Sequence, residues 1–222
     1  MKINNMMTVS NNLIDLFRNH EYEHYVLYFM KESRIVFPGE YKMVEDQSHG
    51  ECDFIEVNTY TKYDAKLPFQ KNQLELLTDG KQHKPQIEEW IKMMQAEASD
   101  FNPSAIRNNK DYDITETILY KIMKEAILRD KVDEHIIFFL PYPISLSISG
   151  SIFLQFCTDY LKAIYNRITE DVCMNGRKIF VIYPASEKNQ FALRDLSTCN
   201  TEFIICGKLE KYFSFEVVNV NK

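Results

Sequence analysis

Apolar positions along this chain follow two spacings, and the change from one to the other marks its elements. Over residues 9–32, Leu13, Leu16, Phe17, Val26, Leu27 and Met30 recur at helical intervals, which predicts one long helix capped by Asn11 or Asn12. Residues 34–37 (Arg-Ile-Val-Phe), closed by Pro38-Gly39, read as a short strand, and residues 41–44 as a second. Two β-rich runs then flank the polar break Asn58-Thr59-Tyr60, and Pro68 ends the second of them, which predicts a β-hairpin over residues 50–67. Helical spacing returns at 69–77 and at 86–98, where Trp90, Ile91 and Met94 form the apolar side.

Residues 99–113 are polar and rich in turn formers, a long surface loop rather than a linker between domains. From Ile114 the pattern becomes βα. A helix starts at Thr115-Glu116 with Ile118, Leu119, Ile122, Met123 and Ile127 inward. The continuous apolar run at 135–140 is expected of a strand buried on both faces. A helix at 151–168, a strand at 178–183, a helix at 188–196 and a strand at 202–206 follow, and a last strand at 213–218 closes the sheet. The expected fold is α/β, a central mixed β-sheet flanked by helices, built as one domain over residues 1–222 with the 99–113 loop between its halves.

Composition fits that picture. A chain of 222 residues, 45% apolar, can bury a substantial core, and 13 tyrosines with 15 phenylalanines argue against disorder. Apolar runs such as Ile136 to Leu140 are far too short to span a bilayer, and the polar start Met1-Lys2-Ile3-Asn4-Asn5 lacks a signal-peptide core. A cytoplasmic protein with no membrane partner is the expectation. Five cysteines without a Cys-x-x-Cys pair support neither a disulfide framework nor a thiolate zinc site. With six glycines in all, no glycine-rich phosphate loop is present. A net charge of −6 argues against gripping nucleic acid through the overall field.

The chemistry concentrates in the hairpin. Side chains alternate along a strand, so Lys62, Asp64 and Lys66 share one face and Tyr63, Ala65 and Leu67 the other. A two-residue turn at Asn58-Thr59 sets Val57 opposite Tyr60 and therefore Asp53 opposite Asp64. Like charges across a ladder are destabilising unless something lies between them, and a divalent cation answers that requirement. On the first helix, Glu23 falls among Leu16, His20, Val26, Leu27 and Met30, where an unpaired carboxylate is costly and needs a partner.

An Asp, a hairpin, then Asp64-Ala65-Lys66 resembles the active-site signature of the PD-(D/E)xK nucleases, the restriction-endonuclease-like superfamily, with Cys52 where that family often carries Pro. The run Tyr22-Glu23-His24-Tyr25-Val26 is similar to the family's helical glutamate, with Glu21 as the alternative. The resemblance spans residues 10–80. It implies a restriction-endonuclease-like core and a nuclease that hydrolyses DNA, preferred to RNA, with Mg²⁺ or Mn²⁺. Asp53, Asp64, the Ala65 carbonyl and Glu23 would hold the metal, and Lys66 would orient the attacking water. Gln70 and Gln73 match loosely a glutamine that follows the lysine in several branches, and loop residue His49 could reach a phosphate. By analogy of fold, the chain would be the effector of a restriction, repair or anti-phage system. A protein partner or a second copy would supply DNA grip or activation.

Two alternatives stand beside this one. His20-Glu21-x-x-His24 is a literal zinc-peptidase string, two histidines one helical turn apart with a glutamate as base, although only 19 residues precede it and no third ligand follows at a family spacing. The other is a nuclease fold that has become a catalytically silent interaction subunit.

Overall fold

The computed structural model describes residues 2–9, 16, 20–45, 51–68, 112–131, 133–140, 150–185, 187 and 189–220. Their largest feature is a mixed seven-stranded sheet whose strands lie in chain order. These are β2 (Tyr41–Met43), β3 (Phe54–Glu56), β4 (Lys62–Lys66), β5 (Glu134–Phe139), β6 (Ile179–Pro184), β7 (Gln190–Asp195) and β8 (Thr201–Ile205). The centre, β4-β5-β6, is parallel, and both flanks are antiparallel. Parallel strands need crossovers, and helices supply them: α2 (Ile118–Arg129) lies between β4 and β5, and α3 (Gly150–Asp171) between β5 and β6.

The central strands are buried on both sides. Ile136, Ile137, Phe138, Phe139 and Leu140 are all fully buried, each contributing roughly 1.5–3 kcal/mol by leaving water. Alternate residues serve two cores. Phe54, Tyr63, Ala65, Ile137, Phe139, Phe180 and Ile182 pack with Val26, Phe29 and Met30 of α1 (Glu21–Glu32). Ile136, Phe138, Ile179, Val181 and Ala192 pack with Met123 and Ile127 of α2 and Leu161, Ile164 and Ile168 of α3. Thr117 caps α2 by accepting from the Tyr120 amide at 3.3 Å, and the residues before it, Ile114–Glu116, form a separate 3-10 turn capped by Asp113.

Several elements differ from the sequence reading. The described part of the 9–32 helix is α1 with the buried, helical Leu16, and Val9 instead ends a strand, β1 (Lys2–Val9). The helix α1 begins only after His20, whose backbone is left-handed at φ 55°. Residues 34–37 are not a strand. They are bends held by the Glu202 carboxylate, which accepts from the Arg34 amide at 2.8 Å, the Ile35 amide at 3.1 Å and the Ser33 hydroxyl at 2.6 Å. The segment read as a helix at 188–196 is β7, because a short apolar run such as Phe191-Ala192-Leu193 fits a doubly buried strand as well as a helix. The last strand, β9 (Phe213–Val220), does not close the main sheet. It pairs with β1 in a separate two-stranded sheet, from Lys2 with Val220 to Val9 with Phe213. The helices expected at 69–77 and 86–98 and the 99–111 part of the polar loop lie outside the described residues. No described helix is long and apolar enough to cross a membrane.

Candidate active site

The hairpin sets the geometry. Phe54 pairs with Tyr63 and Ile55 with Lys62, so one rung further along the same register Asp53 stands beside Asp64. The register is the one the sequence implies, but the turn is not. The connection takes four residues, 57–60: the Glu56 amide donates to the Thr61 carbonyl at 2.9 Å, and the Tyr60 amide returns to the Glu56 carbonyl at 2.9 Å. Tyr60 takes the left-handed conformation at φ 59°. A two-residue hairpin of the favoured kind would need such backbone at both Asn58 and Thr59, and threonine resists it. Extending the loop by one residue on each side leaves the facing pairs unchanged.

The pairing of β3 with β4 stops at Phe54–Tyr63, and Asp53, in a bend just before β3, hydrogen-bonds the Asp64 side chain. The ladder then ends in a side chain: Asp53 Oδ2 accepts from the Ala65 amide at 2.7 Å. Asp53 is 9% exposed. Burial, then the hydrogen bond and charge of Asp64, then the charge of Glu23 push its pKa up to about 9, against the pull of the Ala65 amide.

Lys66 completes the group. Its Nζ lies 2.5 Å from Asp64 Oδ2 and 3.0 Å from Asp130 Oδ1. Burial works against its charge, but Asp64 and Asp130 together outweigh burial and hold the lysine pKa above its ordinary value. Tyr63, Ala65 and Leu67, on the opposite face, are buried in the α1-side core, as strand alternation requires.

The helix α1, packed against the opposite face, carries Glu23, whose charge reaches Asp53. Glu23 is buried among Tyr22, Val26 and Met30, and the His20 ring Nδ1 lies 2.7 Å from its Oε1. Tyr22 links the two parts: burial raises its pKa well above the ordinary value, and the charges of Glu23, Asp53 and Asp64 raise it further. Glu21 goes elsewhere. Its carboxylate accepts from the Tyr212 hydroxyl and lines an open groove of about 280 Å³ with His24, Tyr25, Tyr28 and Lys208.

The zinc-peptidase string therefore does not assemble as its letters suggest. Left-handed His20 precedes the helix and is tied to Glu23, while exposed His24 borders the groove with Glu21. His49, Gln70 and Gln73 lie outside the described residues.

Two participants escaped the sequence reading. Asp130 sits just past the end of α2, 64 residues beyond Lys66, and no spacing rule connects them. Tyr22 carried a weak signal: it precedes Glu23 in a run flanked by apolar residues.

The donor set suits a hard cation. Asp53 and Asp64 offer carboxylate oxygens, and burial, with Asp64 and Glu23 adding to it, disfavours the charged form of Asp53. Among the described residues, no group of three or more His, Cys, Asp or Glu side chains is arranged to hold an ion by itself. The pair Asp53–Asp64 would thus be the core of such a site, with the remaining ligands from main chain, water or substrate. No protein-family model matches the chain, no curated protein matches it in sequence, and no solved structure matches it in fold.

Proposed function

We propose that this chain is a metal-dependent nuclease that hydrolyses phosphodiester bonds, DNA in preference to RNA. The observation that carries the reading is the convergence of Asp53, Asp64 and Lys66: Asp53, just before β3, hydrogen-bonds the side chain of Asp64 on β4, and the lysine ammonium lies 2.5 Å from Asp64. Asp53 and Asp64 would hold Mg²⁺ or Mn²⁺, with the Ala65 carbonyl and Glu23 as further oxygens. When bound, the metal supplies Lewis-acid polarisation of the scissile phosphate and a more acidic water.

The chain's own residues do the rest. The Ala65 amide fixes the Asp53 carboxylate at the end of the ladder, so this acid is oriented before any substrate arrives. Lys66 presents an ammonium beside Asp64, where it orients the attacking water and offsets the charge that develops on the phosphoryl oxygens. Glu23, held by His20 and lying in the field that also reaches Tyr22, adds a third acid from the helix side. With a chain charge of −6, grip on the phosphate backbone would come from a protein partner or a second copy, which suits the effector of a restriction, repair or anti-phage system.

The test is incubation of purified protein with plasmid and with single-stranded DNA and RNA, with EDTA, Mg²⁺ or Mn²⁺. Metal-dependent cleavage lost in Asp64→Ala supports the reading. Cleavage by neither metal, or cleavage that survives the substitution, overturns it.

A further inference from the structure

The position of Asp130 is poorly explained by stability. It follows the last residue of α2 with extended backbone (φ −79°, ψ 160°), where the helix dipole disfavours a negative charge. Its side chain is only 8% exposed, so burial of the carboxylate is costly. Its Oδ2 is buried and has no hydrogen-bond partner among the described residues. Replacing a buried ion pair by packed apolar groups is often neutral or stabilising, so three adverse terms for one ion pair point to a role beyond cohesion.

Among the described residues the one ion pair of Asp130 is to Lys66, with the charge of Arg177 also favouring its ionised form. A lysine ammonium rides on a flexible four-carbon stem and has three donors to place. One reaches Asp64 Oδ2 on its own strand, at 2.5 Å, and one reaches Asp130 Oδ1 on a different element, at 3.0 Å. Two anchors from two elements define a direction for the ammonium that one anchor leaves open. The second anchor matters most if Asp64 shares its oxygens with a cation, because the grip of Asp64 on Lys66 then weakens.

We infer that Asp130 is a positioning residue, which holds the Lys66 ammonium at the reaction site from the α2 side while Asp64 serves as a ligand. The inference rests on the nuclease reading for its purpose, but the grip itself is open to independent measurement. Asp130 touches neither substrate nor metal in this arrangement. It acts through Lys66, and removing it should matter only while Lys66 is present.

Two readouts test this. In protein labelled with ¹⁵N-lysine, the wild-type Lys66 ammonium, assigned by its absence in Lys66→Met, gives a resolved, slowly exchanging resonance. Asp130→Ala abolishes that resonance, and the near-isosteric Asp130→Asn, which keeps an acceptor at Oδ1, retains it. In Mn²⁺-dependent cleavage, Asp130→Ala lowers kcat about 10- to 100-fold, the scale of a small misplacement of a catalytic group. Its KM and its half-activating Mn²⁺ concentration move by less than about twofold. In the Lys66→Met background, Asp130→Ala costs nothing further.

An equal loss from Asp130→Ala in both backgrounds, or wild-type kcat in the single variant, overturns the inference. So does a Lys66 resonance unchanged in Asp130→Ala. If no protein cleaves under any metal, the nuclease reading fails, and the resonance alone decides whether Asp130 holds Lys66.

Discussion

The Ala65 amide donates to Asp53 Oδ2 at 2.7 Å, at the point where β3 and β4 cease to pair. A side chain thus replaces main chain at the end of the ladder, and a carboxylate is fixed beside a second carboxylate in a buried place. Such an arrangement is costly for two charged groups, which is the ground for proposing a cation there.

The pH dependence of stability should show this cost. The Asp53 pKa, up to about 9 in the folded chain from burial and from Asp64 and Glu23, exceeds the ordinary aspartate value near 3.9. Its contribution is fully present below pH ~4 and is lost as pH rises through ~9, because the unfolded chain gives up the proton first. Urea midpoints in EDTA should therefore fall between pH 5 and 9. Asp53→Asn should flatten that slope, leaving the part due to the raised carboxyls of Asp130 and Glu134, raise stability at pH 8, and abolish cleavage.

A bound cation should reverse the penalty. Mn²⁺ is expected to raise the Tm of wild-type protein with concentration, by the equivalent of about 2.7 kcal/mol at one hundred times its Kd. Differential scanning fluorimetry checks this, and Asp64→Asn should show no such rise.

Glu202 provides a prediction away from the site. Burial opposes its charge, but the Ser33 hydroxyl and the amides of Arg34, Ile35 and Val36 prevail and lower its pKa. The stability it contributes is present above pH ~4.3 and lost as pH falls below that value. Glu202→Gln should cost about 1–2 kcal/mol at pH 7 and flatten the acid limb of the stability curve, as read by urea denaturation at pH 3–7.

His24→Ala tests the peptidase alternative. His24 is exposed on α1 and borders the groove with Glu21, so its removal should change stability by less than about 0.5 kcal/mol and leave nuclease activity intact. A zinc enzyme would lose both its metal, by elemental analysis, and its activity.

The legible parts of this chain were those set by local pattern. The hairpin register followed from Asn58-Thr59 and the alternation of Lys62, Asp64 and Lys66, even though the turn itself widened to 57–60. The doubly buried strand at Ile136–Leu140 and the helices α2 and α3 followed from apolar spacing. What the pattern missed depends on distant partners. Phe213–Val220 reads as a strand, but nothing in its own residues says that Lys2–Val9 is its partner. The bends after Ser33 exist because Glu202, 169 residues away, accepts from them. Asp130 entered the site through the end of a crossover helix, a tertiary fact with no local signature.

The nucleolytic assignment is tested most directly by the loss of supercoiled plasmid over time in Mn²⁺, with wild-type protein, Asp64→Asn and Lys66→Met purified in parallel. The account predicts cleavage by wild type that EDTA abolishes, and losses of at least about 100-fold in both variants, the scale expected when a charge-stabilising group is removed. Cleavage in either variant at the wild-type rate, or a wild-type protein inert in every metal, would contradict it.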